Sequence, residues 1–332
     1  NKDEYDITCI YNTNPEPLQN FNVKKIKCNL ENEEDIENIY ADYDIIIHLA
    51  SIIKHTKKNS FHNIGINVKS TQNIFNLAYK ISKNKKIKVI CASTIGTVAC
   101  FDDPNEYANE NSGFSIKSFS FPYYYSKILI EQMGDTYRTK NLNIIFIRPP
   151  VIYGEGDIKG RATSRIKSFL NNYFILYTKG NIPFCDVQDV VNVTYDIMQN
   201  NNPHNLYNID GHNISIQHFY ETLQEISGQH KFKIYIPYYI GKILIPILNK
   251  FIKIPDIIEF YMGNSYWNSQ SIYLKNYNWN NYKITLKNTI EYIQLEKKIK
   301  KTETKNYIYY LFGIGITIPL LYFSKSFIIS NY

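Results

Sequence analysis

The most constraining feature of this chain is the alternation, through its first half, of short apolar runs with helical stretches. Residues 25–30 read as a short strand. Residues 32–40 read as a helix that opens on Glu33, Glu34 and Asp35, where acidic side chains favour a helix N-terminus. Residues 44–50 (DIIIHLA) form a continuous apolar run, the pattern of a strand buried on both faces. A helix over 67–78 follows, with Val68, Thr71, Ile74 and Ala78 near one face, and then a strand over 86–91, a helix over 122–137 and a strand over 143–148. Strands that alternate with helices predict a parallel, doubly wound α/β sheet, because parallel neighbours need a crossover connection. With 44% hydrophobic and 20% charged residues in 332, the chain has the material for one main core and a smaller lobe, which excludes a disordered chain.

The rhythm changes after about residue 155. Residues 182–187, with Asp189, read as a strand entering a helix, 206–209 as a short strand and 216–226 as a helix. Residues 234–258 are very apolar but are interrupted by Lys242, Lys250 and Lys253 and by Pro237, Pro246 and Pro255. That pattern fits a lid or interfacial helix better than a membrane span. Residues 307–323 (YIYYLFGIGITIPLLYF) then run without a charge, at the lower limit for crossing a bilayer of about 30 Å. Lys297, Lys298, Lys300, Lys301 and Lys305 precede this run, and tyrosines flank it as an interfacial belt would. A single C-terminal span with the rest of the chain on the cytosolic side, at the endoplasmic reticulum, is the expectation. Three regions result: 1–154, 155–296, and the basic flank and tail 297–332.

The net charge of +7 is modest and spread along the chain, which argues against nucleic acid as a partner. Five cysteines with no CxxC spacing argue against a disulfide framework and against a zinc site, so no metal is expected and a reducing compartment is.

Tyr123 and Lys127 stand one helical turn apart on the same face. An ammonium beside a phenol stabilises phenolate and lowers its pKa from about 10, which suits proton exchange with a carbinol oxygen. Upstream, Ser93-Thr94 closes the strand over 86–91, at the strand end where open α/β sheets bind ligands.

In these residues the sequence resembles the extended short-chain dehydrogenase/reductases, a branch of the NAD-dependent epimerase/dehydratase superfamily. His48-Leu49-Ala50-Ser51 is similar to the family's motif after its fourth strand, and residues 67–73 (NVKSTQN) to the helix that follows. Residues 148–157 (RPPVIYGEGD) resemble the RPxxIYGxGD segment, and their Gly-Glu-Gly core is closest to the 3β-hydroxysteroid dehydrogenase/isomerase branch. The resemblance covers about residues 5–290. It implies a Rossmann-like domain over 1–154, a substrate lobe over 155–296, and NAD or NADP as cofactor. Tyr123 would be the acid/base, Lys127 would lower its pKa and hold the nicotinamide ribose, Thr94 (or Ser93) would bond the substrate oxygen, and Asn67 would support the site. Asn29, Leu30, His48, Leu49, Ala50, Lys127, Pro150 and Val151 would line the cofactor. His48 on its own reads as a packed strand histidine.

The family's GxxGxxG turn is absent, and the acidic residue expected after its second strand is Tyr11 or Asn12. Residues 5–12 match that second strand, so a first strand, glycine turn and helix of roughly 25–30 residues are expected upstream. The implied activity is NAD(P)-dependent oxidation of a 3β-hydroxysteroid or a similar lipophilic alcohol, in steroid biosynthesis, by a membrane-anchored and possible homodimeric enzyme. The alternatives are a nucleotide-sugar epimerase, a flavonoid-type reductase, and a cofactor-free, membrane-anchored pseudoenzyme.

Overall fold

The computed structural model describes residues 5–54, 60–248 and 257–313. The first half comprises β1 (Thr8–Tyr11), β2 (Lys24–Lys27), α1 (Glu33–Asn38), β3 (Ile45–His48), α2 (Ser60–Ser82), β4 (Lys88–Ala92), α3 (Pro122–Arg138), β5 (Asn143–Arg148) and β6 (Val151–Tyr153). The second half continues with α4 (Ser164–Asn171), β7 (Phe174–Tyr177), β8 (Asn181–Asp186), α5 (Val187–Gln199), β9 (Leu206–Asn208) and β10 (His212–Ser215). It ends with α6 (Ile216–Ser227), β11 (Phe232–Tyr235), α7 (Tyr238–Leu248), α8 (Ile257–Gly263) and α9 (Tyr282–Gly313).

The expected parallel α/β sheet is present, in the order β3-β4-β5-β9. β1 and β2 pair in parallel as a separate two-stranded sheet. The elements start where local chemistry dictates. The Asn32 side chain accepts the Glu34 N–H at 2.9 Å to cap α1, and Pro122 occupies the first turn of α3, where its missing N–H costs nothing. Asp186 caps α5, and the Lys88 ammonium closes the other end of that helix on the carbonyls of Ile197, Met198 and Asn200.

The largest core packs Phe75, Leu77, Ala78 and Ile81 of α2 against Val89 and Cys91 of β4 and Ile144 and Phe146 of β5. Burial of residues 44–50 on both faces, as their apolar run predicts, is not met. Ile47 is 43% exposed and Leu49 63%. Among the described residues β3 pairs only with β4, so its other edge carries no ladder.

The boundary expected at residue 154 is not a clean cut, because the chain returns to the main sheet at β9. Ile90, Ile145 and Ile147 share a core with Val193, Ile197 and Tyr207. The smaller lobe holds the sheet β10-β8-β6, the parallel pair β7–β11 and the helices around them. α9, which the sequence reading did not assign as a helix over 282–297, buries Leu286, Ile290 and Ile293 in the core of this lobe. No helix among the described residues is long and apolar enough to cross a membrane, and the expected span lies, from residue 314 on, outside them. All five cysteines are free, four buried and Cys9 partly exposed. Burial pushes the thiols of Cys91 and Cys100 up to about 12 and also raises those of Cys28 and Cys185.

Candidate active site

The site forms where β4 ends. After Ala92 the chain enters a short 3-10 turn, Ile95–Thr97, capped by the Thr94 hydroxyl, which accepts the Gly96 N–H at 3.2 Å. A Cβ at Gly96 would collide with the Tyr124 ring, so the bare glycine lets α3 close against this turn. α3 brings Lys127 to the strand end, where its buried ammonium donates to the Ala92 carbonyl at 2.7 Å. The same ammonium lies 5.9 Å from the centroid of the Tyr123 ring. Tyr123 and Lys127 therefore stand together on α3 at the C-terminal end of β4, the end from which Thr94 also projects.

Ser93 and Thr94 differ in burial and in partners. Ser93 is buried and donates its hydroxyl to Glu131, one turn beyond Lys127 on α3. Thr94 is only half-buried and its hydroxyl proton is not used by the bond to Gly96. Glu131 also receives Arg148 through Nε at 3.0 Å and through Nη2, and Thr97 at 3.3 Å. Glu131 and Arg148 are 5% and 3% exposed, so a desolvated ion pair lies directly beneath the reactive groups. The sequence reading missed Glu131; its signal was the continuation of the Tyr123–Lys127 stripe by one more turn.

Electrostatics differ from the expectation in one respect. Burial holds the Tyr123 phenol above its ordinary value of 10, with Cys91 adding to the rise and Arg161 opposing it, so the lowered phenol pKa is not met in this arrangement. Burial lowers the Lys127 amine, with Cys91 and Glu131 acting the other way. Both effects follow from the removal of water from groups whose charged forms need it. The phenol is thus a proton donor at neutral pH. Arg161, one of only four arginines in a lysine-rich chain, was also missed. Its guanidinium donates to the Ile53 carbonyl at 2.7 Å and ties the turn after β6 to the loop after β3.

Asn67 is buried beside the loop after β3. Its amide exchanges two hydrogen bonds with the backbone of Ile52 (2.7 and 3.0 Å) and donates to Ser126 at 3.1 Å, which pins the loop after β3 to α3. His48 is buried against the Thr71 hydroxyl at 3.0 Å, and burial, with the Lys127 charge, lowers its pKa from 6.5 to about 3. It is neutral and packed, as its strand position predicts. Asn29 is held in a turn, with its N–H on Asp35 and its side chain accepting from Glu31, while the Leu30 carbonyl accepts from Asn73.

The residues present fit the nicotinamide–ribose half of a dinucleotide. Lys127 is at the strand end, Leu49, Ala50 and Val151 are exposed, Pro150 is half-buried, and the Ser51 hydroxyl is buried with no hydrogen-bond partner among the described residues. For the pyrophosphate half the chain offers no glycine-turn amides, since its first glycine is Gly65.

The fold is shared with proteins of known structure. The chain is similar in structure to UDP-glucose 4-epimerase from Thermotoga maritima with UDP-glucose (TM-score 0.68, 17% identity, 89% of this chain and 92% of that one). It is similar also to dTDP-glucose 4,6-dehydratase from Bacillus anthracis in complex with NAD (0.69, 16%, 90% of each) and to L-threonine 3-dehydrogenase from Trypanosoma brucei (0.64, 16%, 86% of each). At such identities the likeness speaks for the fold alone. No curated protein sequence matches this chain. The sequence profile of the NAD dependent epimerase/dehydratase family matches residues 1–210, well over half of the 332, and the chain belongs to that family, whose cofactor is NAD.

Proposed function

We propose that this protein is an NAD(P)-dependent oxidoreductase of the 3β-hydroxysteroid dehydrogenase type, acting on a lipophilic secondary alcohol and held to a membrane by its apolar C-terminal segment. The observation that carries the chemistry is the Lys127 ammonium facing the Tyr123 ring and fixed on the carbonyl of Ala92, two residues along the chain from Thr94. Thr94 orients the carbinol oxygen through its remaining donor. Tyr123 exchanges the proton with that oxygen, and Lys127 favours the phenolate once substrate closes the site. Bound dinucleotide supplies the hydride acceptor. A lipophilic substrate is supported by the aromatic wall beside Tyr123. Tyr124 lies 5.6 Å from Tyr123 and 5.3 Å from Trp267, centroid to centroid, and Trp267 packs on Phe121.

A nucleotide-sugar epimerase is the second reading. It is supported by Arg161, whose charge near Tyr123 could meet a diphosphate, and by the sugar-nucleotide enzymes among the similar structures.

Fluorescence titration of the full chain with NADH and NADPH, with and without a 3β-hydroxysteroid or UDP-glucose, tests the assignment. Binding of reduced dinucleotide that a sterol, but not UDP-glucose, displaces or strengthens is the expected result. Tyr123→Phe should leave that binding intact and lower turnover by about 10²–10⁴-fold. Failure of both dinucleotides to bind would sink the oxidoreductase reading and favour a pseudoenzyme.

A further inference from the structure

The smaller lobe carries an apolar face that no protein element covers among the described residues. β7 and β11 pair in parallel from Phe174↔Phe232 to Tyr177↔Tyr235. Phe174, Leu176 and Ile234 are exposed, and Phe232 is 73% exposed. The chain passes straight from β11 into α7, with the Ile236 N–H on the Tyr177 carbonyl at 2.9 Å, so strand pair and helix share one surface. The inner side of α7 is anchored: Tyr238 stacks on Phe260 of α8, whose ring also fills the space a Gly241 side chain would need, and Ile245 is buried. Its outer side nevertheless carries Tyr239 (79% exposed) and Ile243 (65%), with Ile240, Leu244 and Ile247 beside them. A helix apolar on both sides is normally buried on both, and an exposed patch of this kind marks a contact surface.

Two features identify what covers it. First, residues 228–255 hold five lysines and no carboxylate, of which Lys233 is paired with Glu221 at 2.9 Å, and residues 171–179 hold Lys179 and none, a positive balance that suits an anionic surface. Second, the last described side-chain contact of α9 is Lys297 on Asn171 at 2.7 Å, three residues before β7 begins. From there α9 continues through Lys298, Lys300, Lys301 and Lys305 toward the uncharged run 307–323. About ten residues, roughly 15 Å of helix, separate Lys297 from that run, so α9 can lean and bring the β7 side down with it.

We propose that the outer face of β7, β11 and α7 rests in the headgroup and upper acyl layer of an anionic lipid bilayer, its aromatic side chains inserted and its lysines on the phosphates. This contact is distinct from the apolar tail, rests on the reading of that tail as a membrane anchor, and does not depend on the catalytic assignment.

The test reconstitutes full-length Ile243→Trp, Phe232→Trp and, as control, Phe61→Trp (87% exposed, on α2) into phosphatidylcholine–phosphatidylserine vesicles with brominated acyl chains. Brominated lipid should quench the added emission of the two lobe reporters by about twofold or more and leave Phe61→Trp unchanged. Three results would overturn the proposal. One is a chain that floats with the vesicles while the Ile243→Trp and control signals match, which leaves the tail as the sole contact. Another is a chain that does not float at all. The third is a dimer, by light scattering in detergent, that Ile243→Glu splits, which makes the face a surface for a second copy.

Discussion

Glu131 decides how firmly the candidate site is held. Its carboxylate gathers Arg148, Ser93 and Thr97 in a buried cluster under Thr94 and Lys127. Removing one partner strands a charge in low dielectric, so Glu131→Leu or Arg148→Met alone should lower unfolding free energy by about 3–5 kcal/mol. The double variant should regain most of that loss, which urea denaturation of the three proteins would show. His48 makes a pH prediction. Its pKa falls from 6.5 to about 3 in the folded protein, so between those values the unfolded chain binds a proton that the folded chain does not. Stability should therefore decline as pH falls from about 6.5 toward 3, and His48→Asn should flatten that decline in denaturation curves measured across the range. The positions of Thr94, Tyr123 and Lys127 were legible because a tyrosine and a lysine at i, i+4 and a hydroxyl at a strand end are local patterns. Glu131 and Arg161 were not, because their roles rest on partners 38 and 108 residues away in sequence.

Among elements, the strands expected over 44–50, 86–91 and 143–148 and the helix expected over 122–137 are met to within two residues, whereas the strand expected over 25–30 already ends at Lys27. α2 begins earlier, at Ser60, than the periodicity from residue 67 indicates. Its inward face there holds Asn63, Asn67, Ser70, Thr71 and Asn73, and a polar buried face is silent to a reading based on hydrophobic spacing. α9 is obscured in the same way, since Thr285 and Thr289 occupy its inward positions beside Leu286 and Ile290. The α3–β5 contact is the element-scale feature most sensitive to one atom. A Cβ at Gly134 would lie 2.5 Å from the Phe146 ring. Gly134→Ala should cost about 1–3 kcal/mol through overpacking. It should also lower activity by tilting the helix that carries Tyr123 and Lys127, whereas the same change at Gly65, with open space around it, should do neither.

At the scale of the molecule, the two lobes are joined by polar clamps that no single segment could announce. Glu110, buried in the loop before α3, accepts the N–H of Asn208 at 2.9 Å and of Ile272 at 2.7 Å and the hydroxyl of Ser271. It thereby binds the end of the main sheet to the strap that follows α8. Glu110→Ala should leave these donors unpaired at about 1–3 kcal/mol each, with the transition visible in the fluorescence of Trp267 and Trp279 during thermal melting. The distribution of sulfur has a practical consequence. Burial deactivates the thiols of Cys28, Cys91, Cys100 and Cys185, while Cys9 is partly exposed on β1, in the separate two-stranded sheet. A mild alkylating fluorophore should therefore label the native protein at a single place, giving a built-in reporter on the β1–β2 pair without a single substitution.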